Sequence, residues 1–135
     1  MDNMLAIAAR ALMAQIFIIS GWSKAMGFAA TEGYFSSLGI PMAAVVVPLV
    51  IVIELGGGLA LLFGFRTRGV AAMIAVFCVG SALIAHTNFS DQGQVISFMK
   101  NLAMTGGLLM FVRHGAGGAS LDGKLESRRS GSGPV

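Results

Sequence analysis

Three charged residues, Arg10, Lys24 and Glu54, lie in stretches of sequence that are otherwise apolar. Glu54 is the most informative, because at least ten apolar or glycine positions flank it on either side. A lone carboxylate in the middle of a membrane span costs about 2.5 kcal/mol or more. Glu54 must therefore be protonated, paired with a cation or turned towards a polar cavity, which are also the conditions under which a carboxyl group can exchange protons.

The partner of Glu54 is expected on the first apolar stretch. Arg10 and Lys24 are fourteen residues apart, which is close to four helical turns and places both on one face, about 21 Å apart. If Lys24 lies at the outer end, Arg10 is nearer to the membrane centre. The sequence therefore predicts an Arg10–Glu54 pair, with Lys24 at the outer mouth, although Lys24 and Lys100 stay open as partners.

Further polar residues are predicted at the same outer level. His86 ends the third apolar stretch, and Lys100 and Asn101 lie about one turn inside the fourth. With Lys24 and the deeper Glu54 they would form a cationic pocket that opens outwards. Such a pocket suits an anion, a quinone carbonyl or a proton-coupled step, because each needs positive or protonated donors beside a group that exchanges a proton.

Each of these residues also has a purely structural interpretation. Lys24 and Lys100 could extend their ammonium groups to the membrane surface, and His86 could be an ordinary interfacial residue. A pair formed by Glu54 and Arg10 could simply lock two helices together. A paired haem site is not expected, because His86 and His114 are predicted at opposite membrane faces. The sequence predicts no metal site, since its acidic residues are scattered.

Composition identifies the elements that must carry these side chains. The chain has 135 residues, of which 56% are hydrophobic and 11% charged. Four stretches are long enough to cross a bilayer as helices, at about 5–25, 42–65, 69–86 and 95–113. The sequence therefore predicts an all-α, integral membrane four-helix bundle as one domain, 1–114, followed by a flexible cytoplasmic tail, 115–135.

Basic residues set the predicted orientation. Arg66, Arg68 and Arg113 lie at one end of the bundle, together with the basic residues of the tail, so both termini are expected in the cytoplasm. In the first connection, Phe28, Thr31, Phe35 and Leu38 recur at helical spacing, which predicts a short interfacial helix on the outer surface. The basic residues are dispersed, so no nucleic-acid partner is expected; the bilayer is the expected partner.

The order of motifs resembles the DoxX family of small bacterial four-helix membrane proteins, over the stretch from Arg10 to Asp122. The resemblance rests on a series of short motifs: Arg10, then Gly21, Trp22, Ser23 and Lys24; Gly39, Ile40 and Pro41; Glu54, Leu55, Gly56 and Gly57; Leu62, Gly64, Phe65, Arg66, Thr67 and Arg68; His86; Lys100, Asn101 and Leu102; and Ser120, Leu121 and Asp122.

The resemblance implies a bacterial inner-membrane protein associated with sulfur, quinone or oxidative-stress redox complexes. The first hypothesis is a membrane subunit that holds a quinone or small anion, with Glu54 as the proton-exchanging group. Arg10, Lys24, His86, Lys100 and Asn101 would bind the ligand, and soluble redox proteins at the cytoplasmic face or a second copy of the chain would be its partners. Two alternatives stay open: a small-solute transporter gated by Glu54 and Arg10, and a scaffold that docks partners on Arg66 and Arg68.

Overall fold

The computed structural model describes residues 3–131, and this part of the chain contains helices and no strand. Four helices are long and apolar enough to span a membrane: α1 (Asn3–Met26), α3 (Ala43–Phe63), α4 (Thr67–Ala85) and α5 (Gln92–His114). Two shorter helices are α2 (Phe28–Ser37) and α6 (Leu121–Gly131). The prediction of an all-α chain with four spans is confirmed, with helix bounds that differ from the predicted ones by up to three residues.

Most large apolar side chains on the spanning helices point outwards, as expected where lipid replaces water. The interior is small and is filled by side chains such as Phe17, Leu61, Ile74 and Leu108. Small residues bring the helix axes together, which matters because lipid offers no hydrophobic drive for helix association. A Cβ atom added at Gly58 would lie 2.8 Å from the Ile18 side chain, so α1 and α3 approach closely there.

Helix α2 covers the first half of α3. Phe35 is buried against Ala43, Val47 and Val50, so part of the apolar stripe predicted in this segment packs on protein. The reversal between the two helices uses Gly39 at φ 79°, a left-handed conformation that glycine adopts without strain. The location of α2 at the membrane surface and the cytoplasmic location of both termini stay predictions.

The segment after α5 was expected to be mobile, but its first part is attached to the bundle. The Asp122 carboxylate accepts hydrogen bonds from the backbone amides of Arg66, at 2.7 Å, and Thr67, at 2.9 Å. The Asp122 amide in turn donates to the carbonyl of Gly64, at 2.9 Å. Asp122 therefore caps the first turn of α4, whose amide groups have no partner within their own helix. The last four residues of the predicted tail, 132–135, lie outside the described residues.

Burial and hydrogen bonding act in opposite directions on the pKa of Asp122. Partial burial raises the pKa, but hydrogen bonds from Thr67 and Arg66 and the positive charge of Arg10 outweigh it, so the pKa is lowered. A carboxyl group with a lowered pKa in the folded state stabilises the fold above its unfolded value of about 3.9. That stabilisation is lost as the pH falls through the lower, folded value.

The cap predicts a pH-dependent loss of stability. Asp122→Asn should lower the free energy of unfolding by about 1 kcal/mol, the typical contribution of a helix cap. The difference from the wild type should be constant from pH 8 to about pH 5, decrease as the pH falls below about 4, and disappear only below the lowered, folded pKa of Asp122. Thermal unfolding in detergent across this pH range measures it.

The matched control is Glu126→Gln, which removes a carboxylate from the same helix without touching the amides of Arg66 and Thr67. This variant should keep the acid-dependent loss of stability. Equal stability of wild type and Asp122→Asn at neutral pH would show that the cap does not hold the tail.

Candidate functional site: a polar cavity at the α2 end of the bundle

Glu54 forms an ion pair with Lys24 inside the bundle. The Lys24 ammonium lies 2.9 Å from Glu54 Oε2 and 3.1 Å from Oε1, and it also donates to Ser20 Oγ at 2.7 Å. The side chain of Glu54 is 6% exposed and that of Lys24 is 24% exposed. The predicted cationic partner therefore exists. It is Lys24, however, and the expected pair of Arg10 with Glu54 is wrong.

The packing of α1 on α3 explains why Arg10 cannot reach Glu54. Gly21 lies against Glu54 and Leu55, and a Cβ atom added at Gly21 would be 2.8 Å from the Leu55 amide nitrogen. Lys24 is one turn from that contact, whereas Arg10 is eleven residues from Gly21, or about 16 Å along the axis. Neither contact could be predicted from helical spacing alone, because the depth of α3 relative to α1 depends on how far the connection between them extends.

Arg10 instead holds the other end of the bundle together. It is 3% exposed and donates to the carbonyls of Leu62, at 3.2 Å, and Ala119, at 2.6 Å. A side chain at Gly64 would collide with Arg10 and with Ser120, so glycine is required there. We call this cluster of Arg10, Gly64, Ala119 and Asp122 the terminal clasp. Arg10 is therefore not part of the predicted ligand site.

A local change of helix type occurs at Glu54. Residues Val52–Gly56 form a π-helical turn within α3, one turn after Pro48, which lacks the amide hydrogen needed for an α-helical bond. A π turn is wider than an α turn and often occurs at functional sites. It gives α3 an irregular stretch at the level where the carboxylate of Glu54 meets Lys24.

The other predicted residues do meet around this pair. A cavity of about 220 Å³ lies between α1, α3, α4 and α5. Its lining includes Lys24, Glu54, His86, Lys100 and Asn101, which are the site residues predicted from sequence apart from Arg10. The geometry thus brings five of the six candidates to one place, with the ion pair on one side and the α4–α5 connection at the other.

Some side chains that line the cavity already use all their hydrogen-bond donors, whereas others keep donors that are free to bind a ligand. All three protons of the Lys24 ammonium have acceptors in Ser20 and Glu54. Asn101 uses one amide proton on the carbonyl of Ser97, at 2.9 Å, and keeps the other. Within residues 3–131, Lys100 has no hydrogen-bond or ion-pair partner. With two lysines and one glutamate, the formal charge of the lining is +1 when His86 is neutral.

Sequence reasoning missed the small polar and aromatic residues of the lining. Three serines, Ser20, Ser81 and Ser97, add hydroxyl groups, while Phe17 and Phe77 supply flat apolar walls. These serines could have been found from the sequence, since each of them interrupts an apolar run.

A larger groove of about 720 Å³ lies at the opposite end of the bundle, between the α3–α4 turn and α6. It contains neither Glu54 nor any other lining residue of the cavity.

Comparison with known proteins identifies the family of the chain. The DoxX family profile matches residues 5–87, which is more than half of the chain. The chain belongs to the DoxX family. The matched region includes Lys24, Glu54 and His86, while Lys100 and Asn101 lie beyond it.

Two DoxX-type relatives in Escherichia coli match over most of their length. The chain is 42% identical to the inner membrane protein YqjF, over 90% of the chain and 92% of the relative. It is 34% identical to the inner membrane protein YphA, over 87% and 88%. These relatives and the four spans support a multi-pass protein of the bacterial inner membrane.

A shorter match extends the comparison to another bacterium. The chain is 36% identical, over 55% of its length and 54% of the relative, to CatD of Bacillus subtilis, whose name proposes that it is an oxidoreductase. No solved structure matches the chain significantly.

The burial of the ion pair predicts an asymmetric effect of mutation. Lys24→Met leaves the almost fully buried Glu54 without its cation, which should lower the free energy of unfolding by about 3–5 kcal/mol. Glu54→Gln should cost less, because the amide oxygen still accepts from Lys24 and the partly exposed ammonium can be solvated. Unfolding in detergent, followed by far-UV circular dichroism, measures both.

The double variant Lys24→Met with Glu54→Gln provides the control. It removes both charges and should regain most of the stability that Lys24→Met loses, which a double-mutant cycle reports as a favourable coupling energy. Additive effects of the two substitutions would mean that the pair contributes no stability.

Proposed function

We propose that the protein is the membrane subunit of a redox assembly, and that its polar cavity binds the carbonyl head of a quinone or a small anion. The observation that carries this proposal is the pair of unused donors. Lys100 and Asn101 line a cavity of positive formal charge that also contains a buried carboxylate, and within residues 3–131 each keeps N–H groups that donate to no acceptor. Unpaired donors in a cavity of this kind favour a ligand that accepts hydrogen bonds and carries negative charge.

The residues present fit a quinone head. Carbonyl oxygens would accept from Lys100 and Asn101, and Phe17 and Phe77 would supply apolar contacts to the ring. The volume of about 220 Å³ is below the range of about 300–1,000 Å³ typical of drug-sized ligands. The cavity therefore favours one ring or one small anion.

A bound quinone accepts two electrons and two protons per turnover, and the chain would position the head and supply the protons. Lys100 and His86 face the cavity and can donate a proton to a ligand oxygen. A proton held at Glu54 Oε2 could pass to a ligand oxygen, which would return Glu54 to the carboxylate that pairs with Lys24 Nζ at 2.9 Å. Lys24 has the further role of keeping the carboxylate in place.

The electrons would come from a partner protein or a small reduced sulfur compound. The chain has a single cysteine, so it has no dithiol pair that could take electrons from a thiol donor and pass them on. The relative CatD carries a name that proposes oxidoreductase activity, which supports a redox role at the level of the family.

Neither alternative function has a specific observation in its favour. The gate that a transporter was expected to form from Arg10 and Glu54 is not formed, because Arg10 lies in the terminal clasp. On the docking face expected at Arg66 and Arg68, Arg68 already donates to the carbonyls of Val112 and Arg113, so fewer of its donors remain for a partner.

The first test of the proposal is ligand binding by the purified chain in lipid nanodiscs. The probe is a dimethoxy-methyl-benzoquinone without a tail, titrated calorimetrically. Lys100→Gln should weaken its binding about tenfold, since a hydrogen bond to a charged group contributes about 1.5–3 kcal/mol. The matched control, Lys124→Gln, removes a lysine from the tail and should bind like the wild type. Equal binding by Lys100→Gln would remove the main support for the proposal.

The second test concerns the proton-exchanging group. In membranes that contain the protein and its natural partners, Glu54→Gln should reduce quinone turnover with a reduced sulfur donor by at least about 100-fold, the usual effect of losing a general acid or base. The amount of protein, measured by immunoblot, should stay normal. Wild-type turnover in Glu54→Gln would exclude Glu54 from the proton path.

A further inference from the structure

A second, open groove lies beside the polar cavity, on the lipid side of α1. It has a volume of about 410 Å³ and is lined by α1 alone. The groove shares Ile16, Ser20 and Lys24 with the cavity. These three residues form the rim between the two spaces, so the groove leads from the side of the bundle directly to the ion pair.

The helix that carries this groove, α1, is separated from α5 by the polar cavity. The two helices touch at few positions, and one contact is that of Met13 with Gly107, where an added Cβ atom would collide with the methionine methyl group. Beyond this contact, towards the α2 end, the cavity separates Ile16 and Ser20 on α1 from Asn101 and Met104 on α5. The helices therefore form a wedge, closed at Met13 and Gly107 and open at the level of Lys24.

The groove faces the bilayer rather than water. It lies in the half of the membrane-spanning helix α1 that ends at Met26, and its apolar member Ile19 is 62% exposed. Gln15 and Ser23 are also exposed along it, which is unusual because lipid tails cannot satisfy polar side chains. A polar-edged groove that leads to a charged cavity has the shape required by a molecule with a polar head and a hydrocarbon tail.

We infer that the ligand of the cavity is lipid-soluble and enters sideways from the bilayer through the gap between α1 and α5. Its polar head binds between Lys100 and Asn101, and its hydrocarbon tail lies along Ile16 and Ile19. The inference rests on the proposed function and narrows it, because a water-soluble anion needs no such groove. The hydrocarbon tail of the ligand would fill the open side of the wedge between α1 and α5.

The test compares two probes with the same benzoquinone ring, one with a ten-carbon tail and one without a tail. Binding to the protein in nanodiscs is followed by quenching of Trp22, the single tryptophan. Ile19→Phe fills the groove and should weaken binding of the tailed probe about tenfold, the size of an overpacking cost of ~1.4 kcal/mol. Binding of the tailless probe should change less than about twofold, because the cavity is unchanged.

The matched control is Val76→Phe, an equally conservative change on the lipid face of α4, where Val76 is 74% exposed. It should leave binding of both probes unchanged. Each variant is compared with the wild type for the same probe. The partitioning of that probe into lipid then contributes equally to both measured affinities and cancels from their ratio.

The outcomes distinguish this inference from the proposed function. If Ile19→Phe leaves the tailed probe unaffected while the tailless ring binds, the lateral route is wrong and the proposed function stands. If Val76→Phe weakens binding as much as Ile19→Phe, the effect belongs to the bilayer, and the route is again wrong. If neither probe binds the wild type, the lateral route is wrong and so is a quinone as the ligand in the proposed function, which then keeps only a small anion.

Discussion

The ion pair between Lys24 and Glu54 is the interaction on which the rest of the bundle depends. A charged carboxylate in hydrocarbon is stabilised by a cation beside it, and α1 supplies that cation by placing Lys24 within reach of α3. The close packing of Gly21 on Glu54 and Leu55 makes this possible. Because that contact fixes the depth of α3 relative to α1, it also decides which residues can line the cavity and which must lie elsewhere.

The two charged residues on the buried face of α1 serve opposite ends of the molecule. Lys24 borders a cavity that retains free hydrogen-bond donors, while Arg10 is directed to backbone carbonyls of α3 and of the tail. One end therefore contains the proposed binding cavity, and the other is held together by the terminal clasp. The π-helical turn lies at the end that contains the cavity, and such turns often occur at functional sites.

The fold and most of the site follow from the sequence, because hydrophobic length determines spans and buried charge marks where helices must meet. Glu54, His86, Lys100 and Asn101 were placed together on this basis. The partner of Glu54 was not predictable in the same way. Helical spacing shows which residues share a face of α1, but it does not show how deep α1 lies relative to α3, because that depends on the connection between the two helices. The docked tail was missed because a glycine- and serine-rich stretch resembles a linker, although one aspartate suffices to attach it.

The terminal clasp has a consequence for how the protein is made. Arg10 enters the membrane with the first helix, but the carbonyl of Ala119 that accepts its hydrogen bond is synthesised more than a hundred residues later. Until then the guanidinium lacks part of its native environment, so the first helix is incompletely stabilised on the ribosome-bound chain. A nascent protein that stops before residue 119 keeps an unsatisfied cation in its first helix, which gives quality-control proteases a physical difference between finished and unfinished chains.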